Sequence, residues 1–280
     1  MTQSAVAGAA SKMRTVLEDT QPQYTLVLGE DAVVMNSLIG STLRLAYRQQ
    51  INCVHCGRLT KKSFSQGYCY PCFQRLAQCD SCIVSPEKCH YFAGTCREPE
   101  WGEKHCMVDH VVYLANSSGV KVGITRGTQL PTRWIDQGAV AALPIFRVST
   151  RQQSGLVESV YKSHVADKTS WQAMLKGPPP EYDLAARGEE LAQICQPEIE
   201  ALQQRFGLQA IQPLTGGQVQ RIDYPVVEYP SKVKSFNLDK NPLAEGTLMG
   251  IKGQYLIFDT GVINIRKYGG YHLEISSPAL

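Results

Sequence analysis

The chain lacks any run of the ~18 apolar residues that a membrane-spanning helix needs, which predicts that it does not cross a bilayer as a helix. Its first stretch, Met1 to Met13, lacks the basic head and long apolar core of a secretory leader. Charge is scarce: 19% of residues are charged and the formal net charge is +3, too little by itself to argue for a polyanionic partner. No internal repeat and no low-complexity tract is present. The expectation is therefore a cytoplasmic protein that does not associate with membrane. In a reducing compartment its cysteines would serve as metal ligands or stay as free thiols rather than form disulfides.

Cysteine is what the chain has in quantity. Of 10 cysteines, nine fall between residues 53 and 106. Cys53, Cys56, Cys69 and Cys72 have the spacing C-x2-C-x12-C-x2-C. Each C-x2-C pair lets two thiolates converge on one ion from a tight knuckle, and four such ligands suit tetrahedral zinc. Gly57 and Gly67 flank the pairs and supply backbone freedom. Four cysteines leave no open coordination position, so the expected role is structural. A second group follows at once. Cys79, Cys82, Cys89 and Cys96 are the first choice for a second zinc site, with Cys106 and His110 as alternates. An iron–sulfur cluster on those first four thiolates is the lesser alternative, because soft thiolates also select iron. His55, beside a ligand, reads as a neighbour or a surface residue rather than a ligand; for His90, which falls within the second group, that reading is the alternative to coordination. Cys195 lies on the apolar face of a predicted helix and reads as a buried thiol.

The remaining pattern predicts an α+β protein. Residues 23–48 alternate and are punctuated by glycine, which predicts two or three strands. Residues 111–124 read as a hairpin turning near Ser117, 131–137 as the start of a short helix, 143–148 as a third strand and 154–165 as a helix capped by Ser154. Pro178 to Pro180 mark a break. Residues 187–206 carry Leu191, Ile194, Cys195, Ile199, Leu202 and Phe206 at helical spacing, with an interruption expected near Pro197. Residues 218–275 are again β-rich. The implied organisation is a β segment at 1–52, a cysteine/histidine module at 53–110, an α/β domain at 111–176, a linker and acidic helix at 177–206, and a β-rich domain at 207–280. The two terminal β segments are expected to share one barrel or one sheet, with the middle inserted. Positive charge concentrates in the centre: residues 107–176 carry 8 basic and 4 acidic groups, net +4, while 177–206 carry 2 and 6, net −4. The acidic helix is expected to pack back on the protein, partly covering or competing for the basic surface.

Within 111–175, Val112-Tyr113, then Lys121-Val122-Gly123-Ile124-Thr125, then Arg133 and Glu158 resemble the GIY-YIG nuclease domain in order and spacing. The resemblance covers about a quarter of the chain. It implies a three-stranded sheet flanked by helices that hydrolyses phosphodiesters with one divalent cation, magnesium or manganese. Tyr113 would orient or deprotonate the attacking water, Arg133 would stabilise charge on the phosphate, and Glu158 would hold the cation. Lys121 replaces the second tyrosine and is suited to binding phosphate. Gln137 stands about where many members have histidine, and a late asparagine is missing. These departures touch the activity more than the fold. The runs CGRLTKKSFSQGYCYPCF, GTCREPEWGEKHC, KVGITRGTQLPTRWIDQGA and GTLMGIKGQYLIFDTGVINIRKYGGYHLE are similar to the signatures of the DUF2797 group of bacterial proteins, across most of residues 53–275.

The function implied is a zinc-containing protein that binds DNA or RNA and cleaves phosphodiesters at Tyr113, Lys121, Arg133 and Glu158. The alternative is a module that keeps the fold and binds nucleic acid without cleaving it. A further alternative binds another protein through the C-terminal β segment.

Overall fold

The computed structural model describes residues 4–165 and 170–280. Met1 to Gln3, from the stretch tested above for a leader, and Asp167 and Lys168, counted among the central charges, lie outside the described residues. In chain order the strands are β1 (Ser4–Ala9), β2 (Arg14–Glu18), β3 (Gln21–Leu28), β4 (Asp31–Val34), β5 (Thr42–Ile51), β6 (His110–Asn116), β7 (Val120–Arg126), β8 (Ala141–Val148), β9 (Ile211–Pro213), β10 (Gln220–Arg221), β11 (Leu243–Lys252), β12 (Tyr255–Phe258), β13 (Gly261–Asn264) and β14 (Tyr271–Ser277). The helices are α1 (Tyr70–Arg75), α2 (Pro99–His105), α3 (Thr132–Asp136), α4 (Arg151–Lys162), α5 (Trp171–Met174) and α6 (Leu184–Phe206). They form two units. One comprises Met1–Gln74, Leu175–Gly177 and Asp223–Leu280; the other comprises Arg75–Met174 and Pro178–Ile222.

The first unit is built on period-two alternation, which turns every second side chain to the same face. In β5, Leu43 and Leu45 are buried while Thr42 and Arg44 are exposed; in β14, Leu273 and Ile275 are buried beside half-buried His272 and Glu274. These strands meet in one antiparallel sheet of order β1-β14-β5-β11-β12-β13. Ser4 at the N-terminal end stands opposite Ser277 at the C-terminal end, and Leu45 stands opposite Ala244. The terminal β segments therefore share a sheet. It is open, ending at β1 and β13, and the barrel alternative is set aside. A smaller sheet, β2-β3-β4, completes the unit. Each aliphatic side chain fully buried in such a core contributes about 1.5–3 kcal/mol.

In the second unit the sheet runs β10-β8-β6-β7, with β9 also on β8. The hairpin pairs Asn116 with Val120, so its turn centres on Ser118 rather than Ser117. Lys121 consequently stands opposite Ala115, and Tyr113 opposite Gly123. Tyr113 and Lys121 share a face as diagonal neighbours. Val112, Leu114 and Val122 face the other way, into a core with Val157 and Tyr161 of α4 and Leu191, Cys195 and Ile199 of α6.

Helix α4 begins earlier than predicted. Thr150 caps it, accepting from the Gln153 amide while the Gln153 side chain accepts from the Thr150 amide, a reciprocal capping box. Ser154 is inside the helix, and its hydroxyl donates to the Arg151 carbonyl at 2.7 Å. Helix α6 runs unbroken through Pro197 from its cap at Asp183. The bond that Pro197 cannot make would have ended at Gln193, which is exposed, so water can satisfy that carbonyl. Its apolar stripe is narrower than predicted, because Ile194 remains 44% exposed while Cys195 is fully buried. No helix among the described residues is long and apolar enough to cross a membrane.

Candidate metal centres and active site

Cys53, Cys56, Cys69 and Cys72 close into one group whose sulfurs lie within 4.8 Å of one another, three of them buried. Local turns bring them together. The Gly57 amide donates to the Cys53 carbonyl at 2.9 Å and the Val54 amide to Gly67 at 2.9 Å, folding the first knuckle over the second. Cys69 precedes α1 and Cys72 lies in its first turn, with the Phe73 amide returning to the Cys69 carbonyl at 2.9 Å. Cys56 Sγ and Cys69 Sγ are 3.8 Å apart. Four sulfurs about 2.3 Å from a central zinc would be separated by roughly 3.8 Å, so the group has the dimensions of a zinc site. Its electrostatics agree. Burial would raise the Cys53 thiol, but backbone hydrogen bonds from Cys56, Cys69 and His55 outweigh it and hold the pKa at about 6. Burial and hydrogen bonding with Cys69, Cys56 and Cys53 push Cys72 up to about 12. Neighbouring thiols thus resist full ionisation until a cation neutralises them.

The second cluster is organised differently. Residues 77–93 form four single 3-10 turns, each closed by its own backbone hydrogen bonds. At its centre is a cavity lined by Cys82, Cys89, Cys96 and Cys106, with Ile83, Tyr91 and Trp101 among its walls. Cys79 is not in that lining, and His110 is not either. His110 is fully buried at the start of β6, with its Nδ1 2.7 Å from the Val108 carbonyl. Asp80, Cys82 and His90 bring ligand atoms within 4.8 Å of one another. The Asp80 carboxylate, however, is already paired with Arg97 Nε at 2.7 Å, and His90 Nδ1 with Thr95 at 2.8 Å.

Helix α4 braces this module. Arg151 Nη2 donates to the Ile83 carbonyl at 2.6 Å, and Gln152 Nε2 donates to the Cys89 carbonyl at 3.0 Å. A Cβ on Gly155 would stand 2.6 Å from the Glu87 amide nitrogen and 2.7 Å from Pro86 Cβ, so glycine is what allows the turn to lie against the helix.

One helical turn further along α4 is Glu158, part of the second constellation. Tyr113 is fully buried. Its ring lies edge-on to Trp134 at 5.9 Å and covers Gly123, where a Cβ would stand 2.7 Å from the phenol oxygen. The Tyr113 hydroxyl donates to Gln137 Oε1 at 3.0 Å. Burial pushes its pKa up; Arg133, by charge and a side-chain hydrogen bond, and Gln137 pull it down, and Glu158 raises it. The structure thus brings Arg133 and Glu158 each within electrostatic reach of Tyr113. Lys121 shares the Tyr113 face and is also buried. Glu158 is buried as well and pairs with Lys162 Nζ at 3.4 Å. Arg133 is half-buried. Tyr113, Lys121 and Glu158 are all buried, so they lie in the packed interior rather than along an open cleft.

Sequence reasoning held Cys106 only as an alternate ligand, and it missed two things at these sites: the bracing role of Arg151 and Gln152, and Gln137 as the partner of Tyr113. The even x6 spacing of Cys82, Cys89 and Cys96 was the available signal for the cavity. Nothing in the spacing marks the brace, because it depends on tertiary contact.

Fold and cysteine geometry together define an α+β chain carrying a four-cysteine group with the dimensions of a zinc site. Residues 40–273 match the family model described as protein of unknown function (DUF2797), and the chain belongs to that family. No curated protein and no solved structure matches it.

Proposed function

We propose that this is a zinc-containing nucleic-acid-binding protein whose second unit hydrolyses phosphodiester bonds in the manner of the GIY-YIG nucleases. The observation that carries the reading is the convergence of Tyr113 from β6, Arg133 from α3 and Glu158 from α4, three positions far apart in sequence. A guanidinium suits a phosphate gaining charge. With its pKa raised, the Tyr113 phenol stays protonated at neutral pH, so its part is to donate and orient rather than to remove a proton. Lys121, buried on the same face, supplies positive charge without being exposed to solvent.

Magnesium commonly takes one or two carboxylates and fills its remaining positions with water and substrate phosphate. A single buried carboxylate at Glu158 fits such an ion, with Lys162 the group displaced. Bound there, the ion would supply charge stabilisation on the phosphate. The first unit contributes a separate groove of about 440 Å³ lined by Lys61, Lys62 and Lys267 together with Asp239, three cations against one carboxylate, which suits contact with a phosphate backbone.

The test is incubation of the purified protein with single- and double-stranded DNA and RNA, with and without manganese. Cleavage should require the divalent cation. It should fall by about two orders of magnitude or more in Glu158→Ala and Arg133→Ala, because each removes charge stabilisation at the reacting phosphate. Metal-independent products, or products undiminished in Glu158→Ala, would defeat the hydrolytic reading.

A second reading is binding without cleavage, favoured by the Glu158–Lys162 ion pair and the complete burial of Tyr113. It predicts retention of nucleic acid that weakens steeply with salt and yields no products.

A further inference from the structure

We propose that Cys82, Cys89, Cys96 and Cys106 hold an iron–sulfur cluster, not a second zinc ion. This ligand set replaces Cys79 with Cys106. The argument starts from dimensions. Among the described residues, the groups of potential ligands that close to within 4.8 Å of one another are the Cys53–Cys72 quartet and Asp80 with Cys82 and His90. The four cavity thiols do not form such a group, although all four line one cavity. A mononuclear tetrahedral site draws its sulfurs to roughly 3.8 Å, the spacing found between Cys56 and Cys69. A four-iron, four-sulfide core stands between its thiolates and spreads them to roughly 6 Å. The first quartet thus has the spacing of a single tetrahedral ion, whereas the four other thiols line one cavity without closing to that spacing.

The surroundings of these four thiols suit an inorganic core. Ile83, Tyr91 and Trp101 form apolar walls, which keep water from cluster sulfurs. Four thiolates carry a charge of −4, and a core of +2 leaves −2 to be offset. Arg151 and Arg126 act on the Cys106 thiol as nearby positive charges, and Arg97 neutralises Asp80 at the rim. Arg151 offers more than charge. Its Nη2 is committed to the Ile83 carbonyl, but its Nε is buried with no hydrogen-bond partner. Burying such a donor unsatisfied is costly, and an N–H aimed at a cluster sulfur is a usual way of stabilising and tuning these centres. The cluster would therefore complete a hydrogen bond that the protein alone leaves open. The same helix carries Glu158 about two turns on from Arg151, so the four thiols and the proposed active site share a support.

The test uses the full chain purified without oxygen and reconstituted with ferric iron, sulfide and excess dithiothreitol, the thiol reducing half of the iron so that a core of +2 can form. The expected protein is brown, absorbs near roughly 400 nm as thiolate-bound iron does, contains iron and acid-labile sulfide in equal amounts, and keeps one zinc. Cys89→Ser and Cys106→Ser should lose most of the iron while keeping the zinc, whereas Cys79→Ser should retain both. Zinc content and circular dichroism verify folding in each variant. Electron paramagnetic resonance of dithionite-reduced wild-type protein provides a readout that needs no variant. Two zinc ions with no sulfide would overturn the proposal, as would one zinc and no iron. Loss of the cluster in Cys79→Ser with retention in Cys106→Ser would overturn the ligand set. None of these readouts depends on nuclease activity, so the proposal stands or falls separately from the hydrolytic reading.

Discussion

The two cysteine clusters follow one another directly in the chain, yet they are built on different physical plans. The first is closed by backbone turns: amides of residues 54 and 57 fold the knuckle, and two sulfurs sit 3.8 Å apart. The second is a series of separate single turns, each closed by its own backbone bond, as from Ile83 to Asp80, Cys89 to Pro86 and Gly94 to Tyr91, all at 3.0 Å. These turns are also tied to α4, where Arg151 and Gln152 donate to the carbonyls of Ile83 and Cys89. The difference shows that cysteine spacing reports local geometry well when both ligand pairs form knuckles. It reports little when the ligands come from successive single turns braced by a distant helix. It also separates the roles. A quartet with its own frame can act as a staple, while a cluster tied to the helix of Glu158 is coupled to whatever that helix does.

The largest effect expected from this comparison is at the closed quartet. Cys53→Ser removes a sulfur whose thiol pKa is drawn down to about 6, and so a ready thiolate. Structural zinc contributes folding energy outright, on the order of 10 kcal/mol in small zinc domains. In a larger fold part of that is retained by the remaining core, so we expect a loss of roughly 4 kcal/mol or more and a fall in Tm of about 10 °C or more. Zinc content should drop by one ion per chain. A variant that keeps its zinc, or melts like the wild type, would remove the staple from this account.

The next effect is a direct strike at the brace. Gly155→Val places side-chain atoms where the Glu87 amide and Pro86 already stand. Overpacking of this kind costs about 1–3 kcal/mol, and the Tm should fall by several degrees. Because only the second unit contains this contact, zinc bound by Cys53, Cys56, Cys69 and Cys72 should be unchanged. Metal analysis beside calorimetry checks both halves. Loss of that zinc in Gly155→Val would show that the two clusters are not independent.

Legibility in the sequence followed the same division. The C-x2-C pairs, the hairpin, the terminal β segments and the buried Cys195 could all be found, because each is written in spacing or period of a few residues. The pairing of β1 with β14 was accessible only as an expectation of composition, since no local signal links Ser4 with Ser277. The alternative of a barrel failed because closure depends on edge strands meeting, which no pattern along one strand records. Ser154 was misread as a cap because a serine before an apolar run looks the same one turn too late; Thr150 and Gln153 make the reciprocal bonds. Tyr113 and Glu158 were singled out by the resemblance alone, and the burial of Tyr113 was not legible, because the ring of Trp134 and the side chain of Gln137 close over the tyrosine from α3 and the residue after it.

The smallest of these effects concerns His110, weighed from sequence as an alternate ligand of the second cluster. Burial holds its pKa down at about 4, with Arg151 and Arg126 contributing and the bond to Val108 opposing. Its Nε2 has no hydrogen-bond partner, and it stays neutral in the folded protein at pH 7. An unfolded histidine titrates near 6.5. Between those values the unfolded chain binds the proton and the folded chain does not, so stability present above pH 6.5 is lost as pH falls toward 4. By pH 5 the loss from this group should reach about 2 kcal/mol, an order-of-magnitude figure from the two pKa values. His110→Gln has no ionisation in that window, so its Tm should fall less than that of the wild type between pH 6.5 and 4.5. Burial in the fold, not coordination, is the cause, and the contrast should therefore persist after a chelator has stripped the protein. If chelation abolishes the contrast, His110 is a metal ligand after all, and the second cluster reaches further into β6 than the cavity shows.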